Sequence, residues 1–235
     1  MASKSPIVFI LGVGPNIGQS VARTFASKGY KVAIASRSQN EAESTDKQLN
    51  IKTDLTKPLE VVDAFSKVKT SFGIPSVVVY NASAASFPPA DDPFAQSYAD
   101  FDNTNNINVN SAFVAAQQAV SGFKQLPESA SRTFIYTGNI LNVAIIPRMV
   151  DSGIGKSGAA HMIRGASDAY KKAGFKFYYA DERKPNGAPK YQVDGDAHGE
   201  LYWELSEGKE QGPWMQTFVK GVGYKKFDTL YTHIP

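Results

Sequence analysis

The chain has 235 residues, of which 42% are hydrophobic and 20% are charged, so it can bury one sizeable core. Its net charge of +3 is too small to indicate a nucleic-acid partner or an anionic membrane surface. It contains no cysteine, which excludes disulfides, thiolate catalysis and cysteine–zinc sites. No apolar run approaches the ~20 residues of a membrane span, and no signal-peptide core is present. These features favour a cytoplasmic protein without a membrane partner.

Apolar runs of strand length alternate with helical patterns as far as about residue 180. The predicted strands are residues 7–11, 31–35, 48–53, 76–81, 133–137 and 176–180. The predicted helices are residues 17–27, 58–72, 108–125 and 155–173. The first, fourth and fifth strands are nearly continuous apolar runs, which is typical of strands covered on both faces. The alternation predicts an α/β fold, a single Rossmann-type doubly wound domain with a mostly parallel sheet of about seven strands.

Two segments interrupt this alternation. Residues 83–106 are rich in proline and aspartate, and we expect a loop with a short helix beside a pocket. Residues 181–196 are polar and rich in turn formers, which favours a surface excursion or a mobile lid. A helix at 197–207 and a strand at 214–220 are predicted within a C-terminal segment, residues 197–235. We expect residues 1–235 to form one domain.

Three glycines, Gly12, Gly14 and Gly18, lie between the first predicted strand and the first predicted helix. Glycines at such a turn let the backbone approach a pyrophosphate, and the start of the helix presents free N–H groups and a positive dipole end. The spacing is one residue longer than the six-residue dinucleotide fingerprint, so a plain structural turn is the alternative. The position favours a dinucleotide site in which Gly12, Gly14, Asn16, Ile17 and Gly18 hold the pyrophosphate.

Arg37 follows the second predicted strand, where a dinucleotide-binding fold places the adenosine ribose. An acidic residue there would accept the ribose hydroxyls of NAD, whereas an arginine can pair with a 2′-phosphate. Arg37 therefore predicts NADP(H) as the cofactor, with Ser36 adding a hydroxyl contact. The alternative is a solvated surface arginine.

Further motifs resemble those of the short-chain dehydrogenase/reductase family, in the family's order, across roughly residues 6–180. The glycine loop resembles the family pattern G-x-x-x-G-x-G, with Asn16 in place of the middle glycine. The other matching residues are Asp54 and Leu55 after the third strand, Asn81 and Ala82 after the fourth, and Asn108 on the next helix. The resemblance implies that the first pair contacts adenine, that the second pair lines the cofactor site with its asparagine at the ribose, and that Asn108 supports a proton relay.

The family's catalytic motif, Tyr-x-x-x-Lys with a serine thirteen residues before the tyrosine, is matched only in part. Lys156 matches the lysine and is expected to hold the nicotinamide ribose, but Ser152 occupies the tyrosine position. Asn139 occupies the serine position, where it could bind a substrate oxygen. None of the 11 tyrosines is followed by lysine four residues later. Family members use the tyrosine as a proton donor, and losing a general acid typically costs about 10² to 10⁴ in rate.

Three interpretations follow from this departure. The favoured one is an NADP(H)-dependent oxidoreductase that reduces a small carbonyl or imine-like substrate, with water or another side chain as proton donor. The donor candidates by sequence are Tyr136, Tyr178, Tyr179 and His161. The second interpretation is an NADP(H)-binding protein with non-redox catalysis, and the third is a regulatory, cofactor-sensing protein without turnover.

The resemblance also carries expectations about the substrate pocket and the assembly. A pocket for a small-molecule substrate is expected between the 181–196 excursion, the loop after Asn81 and the 138–152 loop. Its apolar wall is expected to consist of Ile145, Ile146, Pro147 and Met149. Family members often assemble through the two helices that here hold Asn108 and Lys156, which implies a homodimer or homotetramer. The histidines at 198 and 233 lack metal-ligand spacing, so no metal site is expected.

Overall fold

A computed structural model describes residues 5–227, which form one eight-stranded sheet with helices on both faces. The strands are β1 (Ile7–Leu11), β2 (Lys31–Ser36), β3 (Gln48–Lys52), β4 (Val77–Tyr80), β5 (Thr133–Thr137), β6 (Lys176–Glu182), β7 (Met215–Val219) and β8 (Gly223–Tyr224). The helices are α1 (Ile17–Ser27), α2 (Glu60–Ser71), α3 (Tyr98–Asn105), α4 (Ser111–Phe123), α5 (Val150–Tyr170) and α6 (Gly195–Glu207).

The strand order across the sheet is β3-β2-β1-β4-β5-β6-β7-β8, and every neighbouring pair is parallel except β7 and β8. This is the predicted Rossmann-type doubly wound fold, with the short antiparallel β8 as an additional strand. The order reverses between β1 and β4, which opens a crevice at the carboxyl ends of the strands, where ligands bind in such sheets.

The core consists of two apolar layers, one on each face of the sheet. Phe9 of β1 belongs to the layer that also contains residues of α2, α4 and α5, whereas Val8 and Ile10 belong to the layer that contains residues of α1 and α6. All five residues of β1 are buried, which explains why its sequence is apolar without alternation.

The segment after Ala180 differs from the sequence prediction. β6 continues to Glu182, and Asp181, Glu182 and Arg183 are each no more than 4% exposed. The prediction of a surface excursion from residue 181 was wrong here because buried partners compensate these charges. The following loop, residues 184–194, lies mostly at the surface, as predicted, and a hydrogen bond joins it to the end of β6. Arg183 Nη1 donates to the carbonyl of Gly187 at 3.0 Å.

Three other boundaries are refined by the structure. α5 begins at Val150, before the predicted start at residue 155. α6 begins at Gly195, where the Asp194 carboxylate caps the helix by accepting from Ala197 N at 2.9 Å. The predicted short helix within 83–106 is α3. Residues 228–235 of the predicted C-terminal segment lie outside the described residues. Within residues 5–227, no helix has both the length and the apolar character that a membrane crossing requires.

Candidate active site

The glycine loop after β1 has one closely packed side and one open side. Gly12 has φ of +87°, and a Cβ added there would lie 2.4 Å from the backbone nitrogen of Ala82. A Cβ added at Gly18 would lie 2.7 Å from Cα of Val13. At Gly14, by contrast, no atom lies within 4 Å of an added Cβ. Gly12 and Gly18 therefore allow the loop to fold, and Gly14 leaves space above it.

The start of α1 carries free main-chain donors. Asn16 occupies the N-cap position, but its side chain donates to the carbonyl of Val193 at 2.9 Å instead of capping the helix. Within the described chain, the N–H groups of Ile17 and Gly18 have no hydrogen-bond acceptor. The first turn contains no acidic residue. Free N–H groups and an uncompensated positive dipole end are features that suit an anion such as a phosphate.

Asn81, immediately after β4, joins two loops through its side chain, and one of its side-chain atoms has no hydrogen-bond partner among the described residues. Its Nδ2 donates to the carbonyl of Gly12 at 2.8 Å. Its Oδ1 is buried and has no hydrogen-bond partner among the described residues. A buried acceptor without a partner costs about 1–3 kcal/mol, so a ligand hydroxyl at this point would be stabilising. The open glycine loop, the free N–H groups and this carbonyl oxygen together fit the phosphate and ribose of a dinucleotide.

A cavity of about 440 Å³ lies at the carboxyl ends of β1, β4, β5 and β6. The three segments predicted to border a substrate pocket meet there, represented by Ser83, by residues 138–149 and by residues 189–193. Ile146 and Met149 belong to its wall, as predicted, whereas Ile145 and Pro147 do not line it. The remaining lining residues that bear on chemistry are Asn16, Asn81, Thr137, Asn139, Lys156, Asp181, Glu182, Lys190, Tyr191 and His198.

Lys156 reaches this cavity from α5 and is held firmly. Its Nζ donates to Oη of Tyr136 at 3.3 Å and to the carbonyl of Thr137 at 3.1 Å. These two bonds leave one hydrogen of the ammonium group for a ligand. Burial lowers the pKa of Lys156 to about 7, against the opposing effect of the Asp181 carboxylate. The lysine therefore changes protonation state near neutral pH.

Asp181 lies on the face of β6 that is turned towards α5. Its Oδ2 accepts from Nε of Arg183 at 2.6 Å and also pairs with Nη2 of that side chain. Its Oδ1 has no hydrogen-bond partner among the described residues, and the residue lines the cavity. Burial raises the pKa of Asp181 to about 6, although the charges of Arg183 and Lys156 favour the carboxylate.

Glu182 points to the opposite face of the sheet and fixes the loop that follows. Its Oε1 pairs with Nζ of Lys190, and its Oε2 accepts from Asp194 N at 2.7 Å. Nδ1 of His198 lies 3.7 Å from the same Oε2, and burial lowers the pKa of this histidine. Sequence reasoning missed Asp181 and Glu182 because it ended β6 at the first charged residue. The alternation of Phe177, Tyr179 and Asp181 on one face was the available signal.

Asn108 lies in a π-helical turn, Asn106–Asn110, before α4. Its side chain clamps the loop after β4, because Oδ1 accepts from Ala84 N at 3.0 Å and Nδ2 donates to Ala84 O at 2.8 Å. Its main-chain carbonyl accepts from Oη of Tyr136 at 3.0 Å. Tyr136 therefore connects Lys156 with the backbone, not with the side chain, of Asn108.

The two positions that depart from the family motif have different surroundings. Ser152 is 2% exposed on α5 and does not line the cavity. Asn139 does line it, and its Oδ1 accepts from Leu141 N at 3.0 Å. The amide Nδ2 of Asn139 has no acceptor within the described part of the chain. Of these two residues, only Asn139 is placed to contact a ligand in the cavity.

None of the four proton-donor candidates from the sequence lines the cavity. Tyr136 and Tyr179 are fully buried, and burial raises the pKa of both phenols. Oη of Tyr178 donates to the carbonyl of Glu210 at 3.4 Å on the other face of the sheet. His161 lies on the exposed face of α5.

A second cavity, of about 980 Å³, lies beyond the carboxyl ends of β2 and β3. Arg37 and Asp54 both line it. Within the described chain, no carboxylate lies within 4 Å of the exposed Arg37 guanidinium. By contrast, Lys57 pairs with Glu60 at 3.3 Å. Arg37 is thus a cation without a carboxylate partner at the predicted adenosine end.

Of the other residues predicted for the adenosine end, Asp54 lines this second cavity, whereas Ser36 and Leu55 do not. Partial burial opposes ionisation of Asp54, but hydrogen bonds from Thr56 and the nearby cations hold its pKa below the ordinary value. Oγ of Ser36 accepts from Nε2 of Gln39 at 3.0 Å. Leu55 is buried in the core, and its carbonyl accepts from Oγ of Ser111 at 2.8 Å, so its side chain does not reach the cavity.

The doubly wound sheet, the glycine loop and the crevice beside it define a dinucleotide-binding α/β protein. A family model described as short chain dehydrogenase matches residues 6–176. The chain is 46% identical over 235 residues to "Short chain dehydrogenase/reductase dmxR12" of Cryptosporiopsis sp. (strain 8999), with 95% of each chain covered. It therefore belongs to the short-chain dehydrogenase/reductase family, whose members are oxidoreductases that use a nicotinamide cofactor, and the motif-based resemblance is confirmed.

Solved structures support the fold. A metagenomic short-chain oxidoreductase in complex with NADP has a TM-score of 0.77 at 13% identity, with 92% of this chain and 99% of that chain covered. The 3-ketoacyl-(acyl-carrier-protein) reductase from Brucella melitensis, complexed with NADH, has a TM-score of 0.76 at 17% identity, with 93% and 99% covered. The two similar structures thus hold different nicotinamide cofactors.

Proposed function

We propose that the protein is an NADP(H)-dependent oxidoreductase that reduces a small carbonyl or imine-like substrate. The observation that carries this proposal is the 440 Å³ cavity, which unites the open glycine loop, the unpaired Oδ1 of Asn81 and the ammonium of Lys156. The bound cofactor would supply a hydride to the substrate carbon. The chain's own task is to hold and orient: the N–H groups of α1 bind phosphate, Asn81 accepts from a ribose hydroxyl, and Lys156 donates to the nicotinamide ribose.

The decisive experiment combines binding with turnover. NADPH binding is followed by fluorescence, and NADPH oxidation is measured against a panel of ketones, aldehydes and cyclic imines. We expect binding together with turnover of at least one substrate class. Tight NADPH binding without turnover across the panel would contradict the reductase and leave non-redox catalysis or cofactor sensing.

The preference for NADP(H) over NAD(H) rests on Arg37. Its guanidinium is exposed and unpaired with any carboxylate of the described chain. The other cations of the cavity are Lys52, Lys57 and Lys67, of which Lys57 and Lys67 are paired with glutamates. A 2′-phosphate there would form charge-assisted hydrogen bonds worth about 1.5–3 kcal/mol. The two solved relatives bind NADP and NADH respectively, so the choice must come from this chain's own residues.

We expect Arg37→Asp to raise the Kd for NADPH by about 10- to 100-fold and to leave the Kd for NADH nearly unchanged or improved. Lys209→Asp, which makes the same charge change at an exposed position away from both cavities, is the matched control. Fluorescence titration with both cofactors measures the effect. Equal affinities for NADPH and NADH before and after the Arg37 change would contradict the assignment.

We also propose that the protein forms a homodimer or homotetramer through α4 and α5. Phe113 of α4 and Ile154 of α5 are 51% and 48% exposed, and Tyr98 of α3 is 79% exposed. Apolar side chains on these helices fit the assembly that the family resemblance implies. Sedimentation velocity tests it, and a monomer at micromolar concentration would contradict it.

A further inference from the structure

Hydride transfer to a carbonyl carbon leaves a charged oxygen that needs a proton. Ser152, at the position where the family has its tyrosine, does not line the cavity, and the buried tyrosines near Lys156 do not line it either. A donor must have an ionisable atom that faces the cavity and a side chain that is held in place. Among the described residues, Lys156 and Asp181 both face the cavity from fixed side chains. The free hydrogen of Lys156 is assigned above to the nicotinamide ribose, which leaves Asp181 as the candidate donor.

We propose that Asp181 is the catalytic acid of this site, which protonates the substrate oxygen as the hydride arrives at carbon. This inference rests on the proposed reductase function. Bound NADPH would supply the hydride with its electron pair to the carbonyl carbon, and the π electrons of the C=O bond would move to oxygen. That oxygen takes the proton of the Asp181 carboxyl group, which becomes a carboxylate. The products are an alcohol and NADP⁺, and Asp181 regains a proton from water.

The geometry assigns different tasks to the two carboxyl oxygens. Oδ2 is anchored by Nε of Arg183 at 2.6 Å, which fixes the orientation of the group. Oδ1 has no partner among the described residues, and Asp181 lines the cavity together with Lys156 and Asn139. The free amide Nδ2 of Asn139 can donate to the same substrate oxygen and so place it at the carboxyl group.

The groups around Asp181 favour a carboxyl group that holds a proton near neutral pH and can release it to the substrate. Lys156 faces it from α5, Tyr179 and Glu182 belong to its own strand, and Arg183 follows directly; Tyr202 of α6 interacts with it electrostatically from the other face of the sheet. Burial raises the pKa of Asp181 to about 6. A general acid works best when its pKa lies near the working pH.

Two neighbours are less suited to the role. Both carboxylate oxygens of Glu182 are occupied, one by Lys190 and one by the main chain of Asp194. Tyr191 lines the cavity but is 71% exposed on the loop, with no contact that fixes its hydroxyl within the described chain.

Asp181→Asn tests the proposal, because the amide keeps the shape of the side chain but cannot give up a proton to the alkoxide. We expect kcat for the best substrate of the ketone and aldehyde panel to fall by about 10² to 10⁴, with little change in the Kd for NADPH. Asp63→Asn, on the exposed side of α2 and away from both cavities, is the matched control and should keep the kcat of the parent protein. An Asp181→Asn variant that folds, as judged by circular dichroism, and keeps the parent kcat would overturn the proposal.

The pH dependence gives a second readout. The acid must be protonated, so the parent kcat should fall as pH rises through about 6, and this limb should disappear in Asp181→Asn. Where Asp181→Asn does not fold, Asp181→Glu keeps the acid, and its limb should persist at an altered pH. If kcat fell over the same pH range in the parent and in Asp181→Glu, the proposal would be overturned.

A third readout needs no substrate. Carbon NMR of ¹³C-aspartate-labelled protein with NADPH bound should show one carboxyl that titrates near pH 6 and is lost in Asp181→Asn or Asp181→Glu. Titration of that carbon at the ordinary aspartate value of about 3.9 would overturn the inference. Failure of NADPH to bind would instead overturn the proposed function, because the carboxyl signal is measurable in either case.

Discussion

The two ends of the cofactor crevice are lined by different kinds of chemical group. At β1 the groups proposed to bind the cofactor are main-chain N–H groups of α1 and the open backbone at Gly14. At β5 and β6 they are buried ionisable side chains, Lys156 and Asp181, each no more than 1% exposed. Main-chain donors keep their hydrogens at every pH of interest, whereas these two side chains have pKa values of about 7 and about 6. Binding at the first end should therefore be insensitive to pH, and chemistry at the second end should change near neutrality.

Of the changes that test this difference between the two ends, Gly12→Ala is expected to have the largest effect. In Gly12→Ala, the new Cβ would meet the backbone of Ala82 at 2.4 Å in a conformation, φ of +87°, that L side chains rarely adopt. We expect a loss of roughly 1–3 kcal/mol or more in the free energy of unfolding, together with loss of NADPH binding. Urea unfolding and fluorescence titration measure the two quantities.

Gly14→Ala is the matched comparison. The added methyl group meets no protein atom within 4 Å, so the free energy of unfolding should stay within about 0.5 kcal/mol of the parent value. NADPH binding should nevertheless weaken, because the methyl group occupies the space above the loop. If Gly14→Ala left the Kd for NADPH unchanged, the loop would not be the phosphate site.

The β1 end could be predicted from sequence because its determinants are local. Strand, glycines and helix follow one another within residues 7–27, and the predicted bounds of β1 and α1 coincide with those observed. Arg37 was likewise predicted from its position after β2, and the structure places it in a cavity with Asp54; its role toward the cofactor stays a prediction. A short apolar run and a turn are enough to specify this geometry.

The β6 end could not be predicted in the same way because its determinants are distant in sequence. In the sequence, Asp181 looks like the first residue of a polar loop. In the structure, Arg183 at the end of β6 and Lys156 of α5 surround it. Asn108 was found by its motif, but nothing in the sequence shows that its side chain is used up by the backbone of Ala84. Charge compensation inside a fold depends on the tertiary contacts.

A smaller effect, which tests the charged end directly, is expected for Lys156→Met. Methionine fills a similar volume without a charge. In the parent, burial lowers the pKa of Lys156 to about 7 from its ordinary value of 10.5, so between these values the unfolded chain binds more protons than the folded one. Stability then rises with pH across that window, and it is below about pH 7 that the buried ammonium costs most.

We therefore expect the free energy of unfolding of Lys156→Met to exceed that of the parent near pH 7 and the difference to shrink towards pH 10, by roughly 1–3 kcal/mol. Urea unfolding of both proteins across this range measures it. Gly14→Ala serves as the control, since its difference from the parent should not vary with pH. Parallel curves for Lys156→Met and the parent would mean that the ammonium of Lys156 is not destabilised by burial. The β5–β6 end would then share the pH insensitivity of the β1 end, and the contrast between the two ends would fail.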